Sequence, residues 1–134
     1  MTKLTAIEGI GDVYAGKLKA AGVNTLEDFL QKGAAPKDRK ALADATGISG
    51  DLILKWVNRA DLFRVKGIGE EYSDLLEAAG VDTVVELSQR SGANLCAKLA
   101  EVNGAKHVVR QLPTQAVVDG WIEAAKALPR VVTY

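Results

Sequence analysis

The sequence predicts an all-α protein built from two tandem helical units. Three observations point there. Residues 4–25, LTAIEGIGDVYAGKLKAAGVNT, return 58 residues later as LFRVKGIGEEYSDLLEAAGVDT, with Gly9 matched to Gly67 and Tyr14 to Tyr72. Hydrophobic residues are 48% of the chain but aromatic ones only 5%, so Ala, Leu and Val must fill the interior, as they do between packed helices. Apolar positions recur at spacings of three and four, which is helical periodicity. The 134 residues are enough for two small units, residues 1–63 and 64–134, expected to form one compact body with limited hinge motion.

In each copy the first expected element is a short helix carrying Leu4 and Ile7, or Leu62 and Val65. A tight corner follows, Gly9-Ile10-Gly11 or Gly67-Ile68-Gly69. Glycine permits positive φ and leaves its amides unshielded, and the middle isoleucine is placed to plug the corner into the core. Tyr14, Leu18 and Ala21 (Tyr72, Leu76, Ala79) then define a helix that stops at Gly22 or Gly80.

A hydrophobic residue, Gly-Ile-Gly, a small residue four positions on (Ala15, Ser73) and a leucine three further together resemble the helix-hairpin-helix motif of DNA-repair and recombination proteins. The first copy, with Thr-Leu-Glu-Asp from Thr25, resembles in particular the hairpin of X-family repair polymerases. The resemblance implies that backbone amides at the corner meet a phosphate of duplex DNA without reading base sequence. It also implies that a monovalent cation can sit on the carbonyls of Thr5, Ile7 and Ile10, or of Phe63, Val65 and Ile68. The physics agrees for the anion, because a helix start has unpaired N–H groups and partial positive charge.

Thr25 is placed to cap a helix over 26–32 with Asp28 as its capping-box partner, and Gly33 ends it. Pro36 suits the first turn of a helix that runs through Ala45 to a stop at Gly47. Gly47-Ile48-Ser49 reads as a degenerate second hairpin, leading into a helix over 51–61 whose stripe is Ile53, Trp56, Val57 and Ala60. Two hairpins joined by a connecting helix resemble the five-helix, SAM-like tandem hairpin domain. In the second copy Thr83 and Glu86 form a capping box, and Asn94 to Val102 forms a helix with Asn103-Gly104 as its stop. Trp56 and Trp121 are 65 residues apart, so the second copy carries an insertion near 105–112. Thr114 caps a last helix over 115–128 bearing Val118, Trp121, Ile122 and Ala125, and Pro129 ends it ahead of an extended C-terminal tail. No stretch reads as a flexible linker, and Asn58, Arg59 and Asp61 are placed to bridge the copies.

Over nearly its whole length the chain also resembles an uncharacterised family of small stand-alone bacterial double-hairpin proteins, a domain of unknown function. The resemblance rests on the paired Gly-Ile-Gly units, the Trp-Val-Asn-Arg-Ala-Asp-Leu junction at 56–62 and the Leu-Pro-Arg-Val-Val-Thr-Tyr ending. It implies no activity.

Charge argues against a bulk pull toward nucleic acid. Seventeen basic residues balance 17 acidic ones, split 9 against 8 through Phe63 and 8 against 9 after it. The first hairpin carries Asp12, with Lys3, Lys17 and Lys19 near in sequence; the second carries Lys66 and Arg64 against Glu70, Glu71 and Asp74. A carboxylate about 4 Å from a phosphate opposes it by roughly 1 kcal/mol in water and more where solvent is scarce, so the first hairpin should dominate. The expected nucleic-acid-binding residues are Gly9, Ile10, Gly11, Lys17 and Lys19, with Lys66, Gly67, Ile68 and Gly69 in the second copy.

Lys37, Arg39 and Lys40 read as a solvated basic face, and Lys106, His107 and Arg110 equally as a second basic patch or as a surface loop with no role. Trp56 and Trp121 read as core anchors, not stacking platforms. Tyr14 and Tyr72 read as packing residues with hydroxyls at a helix end. The single cysteine, Cys96, excludes an intrachain disulfide and reads as a small buried hydrophobe. One histidine and no paired nucleophile leave catalysis without candidates, and neither a metal, a cofactor nor a small-molecule substrate is expected. Nothing is apolar enough to span a membrane, and the N-terminus lacks a signal peptide's centre, so a cytoplasmic protein is expected. Two functions follow: weak, sequence-independent binding to the backbone of double-stranded DNA, or a protein-interaction scaffold in which the hairpins are architectural.

Overall fold

The computed structural model describes residues 2–134. Among the described residues it holds eight α-helices, one 3₁₀ turn and no strand, so the chain is all-helical. Among the described residues, an isolated bridge pairs Lys3 with Thr25. No helix among these residues is long and apolar enough to cross a membrane.

The chain divides into two compact units, Met1–Asp61 with Arg130–Tyr134, and Leu62–Pro129. The segment after Pro129 therefore groups with the first unit, whereas its place in the sequence puts it with the second. The boundary falls two residues before the one expected, because Leu62 and Phe63 open the second copy.

Unit 1 begins with the 3₁₀ turn Leu4–Ala6, followed by α1, Asp12–Ala20. The short helix expected here is a single 3₁₀ turn. Ile7 N–H donates to Leu4 O at 3.2 Å and Ile10 N–H to Ile7 O at 3.1 Å, so three-residue closure wins locally. The helix α2, Leu26–Lys32, starts on Thr25, whose hydroxyl accepts from Asp28 N–H at 3.1 Å. Asp28 Oδ2 accepts in turn from the N–H of Asn24 at 3.2 Å, one residue before the cap it was expected to serve.

The helix α3, Pro36–Thr46, has proline in its first turn and ends on Gly47 at φ +73°. It packs on α1. Ile48 is buried. The Ser49 hydroxyl accepts from Leu52 N–H at 3.2 Å and starts α4, Gly50–Leu62. Trp56, Val57 and Ala60 on α4 are buried with Phe29 and Leu18. Asn58 accepts from the Tyr134 hydroxyl within unit 1, and Arg59 and Asp61 are buried.

Unit 2 repeats the plan with α5 (Glu70–Ala78), α6 (Val84–Ser88), α7 (Gly92–Lys106) and α8 (Gln115–Ala127). Its core joins Leu62, Val65, Leu75, Leu76, Leu95 and Trp121, among others, as α6 and α7 pack on α8 and α5 packs on α7. Thr83 and Thr114 accept from Glu86 N–H and Val117 N–H, capping α6 and α8.

Two expectations are corrected here. The helix α7 runs through Asn103-Gly104 and stops at His107, a non-glycine residue at φ +52°. Asn103 is held in the helix because its side chain clamps Val109, donating to Val109 O at 3.1 Å and accepting from Val109 N–H at 2.9 Å. That clamp folds the insertion back, and Val109 is buried. Cys96, expected to be buried, is half-exposed.

Candidate nucleic-acid interface

Each Gly-Ile-Gly corner is a four-residue turn followed by a helix start. In the first, Ile7 O accepts from Ile10 N–H and Gly9 sits third with φ +97°; in the second, Val65 O accepts from Ile68 N–H at 3.1 Å and Gly67 has φ +93°. Positive φ at the third position is what a type II turn demands, and glycine adopts it without strain. The isoleucine then dips inward, leaving Ile10 3% and Ile68 4% exposed. Their side chains are in the interior and their N–H groups are already bonded, so neither offers a ligand more than a carbonyl. The Ile7 and Val65 carbonyls, two of those implied for a cation, each accept a hydrogen bond.

Gly11 and Gly69 are the N-cap residues of α1 and α5, both extended and neither with a side-chain cap. Among the described residues, no protein acceptor takes the N–H groups of Gly11, Asp12, Val13 and Tyr14, nor those of Gly69 through Tyr72. Asp12 and Glu70 therefore leave the main-chain donors open, though each sits at the first helical position. Helices that begin at Thr25, Ser49, Thr83 and Thr114 are different, since a hydroxyl occupies their starts. At α7 the start at Gly92 faces Asp119, whose Oδ1 occupies the space a Cβ would need.

Beneath each corner lies a tryptophan. Trp56 Nε1 is 3.4 Å from a Cβ built on Gly9, and Trp121 Nε1 is 3.1 Å from one built on Gly67. Tyr14 meets Trp56 edge-on and Tyr72 meets Trp121 at a tilt, both at 5.1 Å between centroids. The same Gly–Tyr–Trp triad is thus rebuilt although the insertion moves the second tryptophan in sequence. The Tyr72 hydroxyl reaches Gln111 O in the insertion, at 3.4 Å, and not a helix end. Gly11 and Gly69 have open space where a side chain would go.

The expected lysines are exposed but do not converge equally. Lys17 lies over the Tyr14 ring, 5.9 Å from its centroid. Lys19 instead lines a hollow beside the corner with Lys3, Thr5, Asp12, Gly16 and Asn24. Lys66 is in the turn of the second corner, and Arg64 donates to Pro129 O at 2.8 Å. Two features escaped sequence reasoning. Glu8, exposed beside Gly9, gives the first corner a second acid. Val13, just past Gly11, is 73% exposed.

The 58-residue offset could have found both, since it sets Glu8 against Lys66 and Val13 against Glu71. It further sets Lys3 against Asp61, Gly16 against Asp74 and Lys19 against Glu77. Lys3, Val13, Gly16 and Lys19 thus have acids as their counterparts, whereas Ala6 and Glu8 have the bases Arg64 and Lys66.

The match to known families covers the corner and both units. The chain belongs to the family described as Domain of unknown function (DUF4332), whose model matches residues 8–128. No curated protein and no solved structure matches it. Family membership thus spans both Gly-Ile-Gly corners and all eight α-helices up to the end of α8. It assigns the DUF4332 domain no chemistry, which must be argued from the corners.

Proposed function

We propose that this is a non-catalytic, cytoplasmic helix-hairpin-helix protein that binds the sugar-phosphate backbone of double-stranded DNA, weakly and without sequence preference, through the corner at Gly9-Ile10-Gly11. One observation carries the proposal: consecutive exposed N–H groups from Gly11 onward have no protein acceptor, while every helix begun by a threonine cap supplies its own. A helix start of this kind concentrates donors and partial positive charge on an anion. Lys3, Lys17 and Lys19 outnumber Glu8 and Asp12 there. At the second corner Glu70 and Glu71 stand at the helix start, so the corner at Gly67-Ile68-Gly69, with Lys66, is a subsidiary contact.

The test is a salt titration of a fluorescent duplex by anisotropy. With two phosphates neutralised, affinity should fall about tenfold between about 50 and about 200 mM salt. Gly11→Val should weaken binding by a similar factor or more while the chain stays folded, its melting temperature lowered only by the poorer cap. Unchanged duplex affinity in that folded variant would sink the proposal.

A second role, as a protein-binding scaffold, is favoured by Val13, an apolar side chain 73% exposed at the tip of the corner. It predicts association that responds little to salt and is lost in Val13→Asp.

A further inference from the structure

Arg39 was expected on a solvated face, yet it is only 7% exposed. Its Nη1 donates to Gly33 O at 2.9 Å and Ala34 O at 2.8 Å, and its Nη2 to Thr133 O at 2.7 Å. A buried guanidinium is tolerated when its donors are used, and here one acceptor comes from 94 residues away.

The segment Arg130–Tyr134 is held at every level by unit 1. Thr133 N–H donates to Ala34 O at 2.8 Å, so its main chain is gripped through both donor and acceptor. Val132 is 3% exposed. The Tyr134 hydroxyl donates to Asn58 Oδ1 at 2.7 Å, and its ring lies under the Arg39 guanidinium at 5.7 Å. Main-chain bonds for affinity with side-chain pockets for specificity are the means by which proteins recognise peptides.

Part of the receiving half is held by contacts within residues 29–57 themselves. Gly33 and Ala34 already orient Arg39, and Gly33 is packed so closely that a Cβ would stand 2.6 Å from Val57 Cγ2 and 3.0 Å from Phe29 O. A preformed site loses little freedom when its ligand arrives.

We propose that this groove is a peptide-docking site that accepts the Arg130–Tyr134 segment from a second copy of the chain when its own segment is displaced. The occupant is fixed by complementarity, because exchange regains each of these contacts unchanged. The segment joins its groove only through the exposed Pro129 and Arg130, with no helix to unwind. In an intact chain the resident segment competes at an effective concentration of order millimolar, so exchange belongs to crowded or locally concentrated chains.

Two full-length variants test it. Val132→Asp spoils the segment and leaves the groove; Arg39→Met with Asn58→Ala spoils the groove and leaves the segment. Each alone should sediment as a monomer, and an equimolar mixture should form a one-to-one dimer. A mixture of folded variants that stays monomeric, or self-association of either alone, overturns the proposal. Should circular dichroism show the groove variant unfolded, a fluorescein-labelled peptide of residues 130–134 decides it. That peptide should bind the Val132→Asp chain at least tenfold more tightly than the unaltered chain, whose groove is filled. Equal binding, or none, overturns it. The DNA proposal stands or falls separately, since Gly11 plays no part here.

Discussion

At the first corner Gly9 carries a φ of +97°, while Gly11 has a φ of −88° that any residue can adopt. The two substitutions should therefore part company. Gly9→Ala forces a left-handed alanine, costing about 1–2 kcal/mol, and should lower the melting temperature. Gly11→Val strains no backbone but puts a poorer cap at the start of α1, so it should cost about 0.5–1 kcal/mol; the two melting curves check this. Gly33→Ala is a third case, since its Cβ would collide with Val57 and the Phe29 carbonyl. It should cost about 1–3 kcal/mol by overpacking, measured by urea denaturation. The left-handed requirement at Gly9 was legible from the repeated Gly-Ile-Gly. Burial of Arg39 was not, because the residues that cover it arrive from the far end of the chain.

Among the elements, helix starts were the most legible feature, since capping is written in neighbouring residues. Thr25→Ala and Thr83→Ala should each cost about 1 kcal/mol in chemical denaturation. The end of α7 was misread, since Asn-Gly is a common stop and a non-local clamp on Val109 overrides it. His107 takes the left-handed position instead. His107→Gly should therefore raise stability by about 0.5–1 kcal/mol, the relief of strain less the added freedom of the unfolded chain, seen as a higher melting temperature.

The start of α2 also carries a pH signature. Burial pushes the Glu27 carboxyl up, but hydrogen bonds from Thr2 N–H, its own N–H and the Thr2 hydroxyl outweigh it and hold the group below the usual range. A depressed carboxyl stabilises the fold above its unfolded pKa, and that contribution fades as pH falls through the lower folded value. Acid titration of the melting temperature should fall less steeply in Glu27→Gln over that window.

For the whole molecule, the repeat and the all-helical class were legible because both rest on sequence spacing. What was not legible is that Arg130–Tyr134 completes unit 1; no local pattern links Thr133 to Ala34. Removing residues 130–134 should accordingly raise amide hydrogen exchange around Ala34, Arg39 and Asn58 and leave α6 and α8 of unit 2 unchanged. Exchange that rose equally in both units would contradict this division. At the candidate interface, the corners and the heavier acidity of the second one, Glu70, Glu71 and Asp74, were legible in the sequence, whereas the hollow beside the first corner that gathers Lys3, Asp12 and Lys19 depends on packing that no local pattern shows.

Biosynthesis meets that same connectivity in an awkward order. Unit 1 emerges first from the ribosome, but its last five residues are translated only after all of unit 2, so the earliest helices must wait, with the Arg39 groove open, while 68 further residues, Leu62–Pro129, are made. Nascent chains crowded on one message would hold their open grooves at close quarters during that interval.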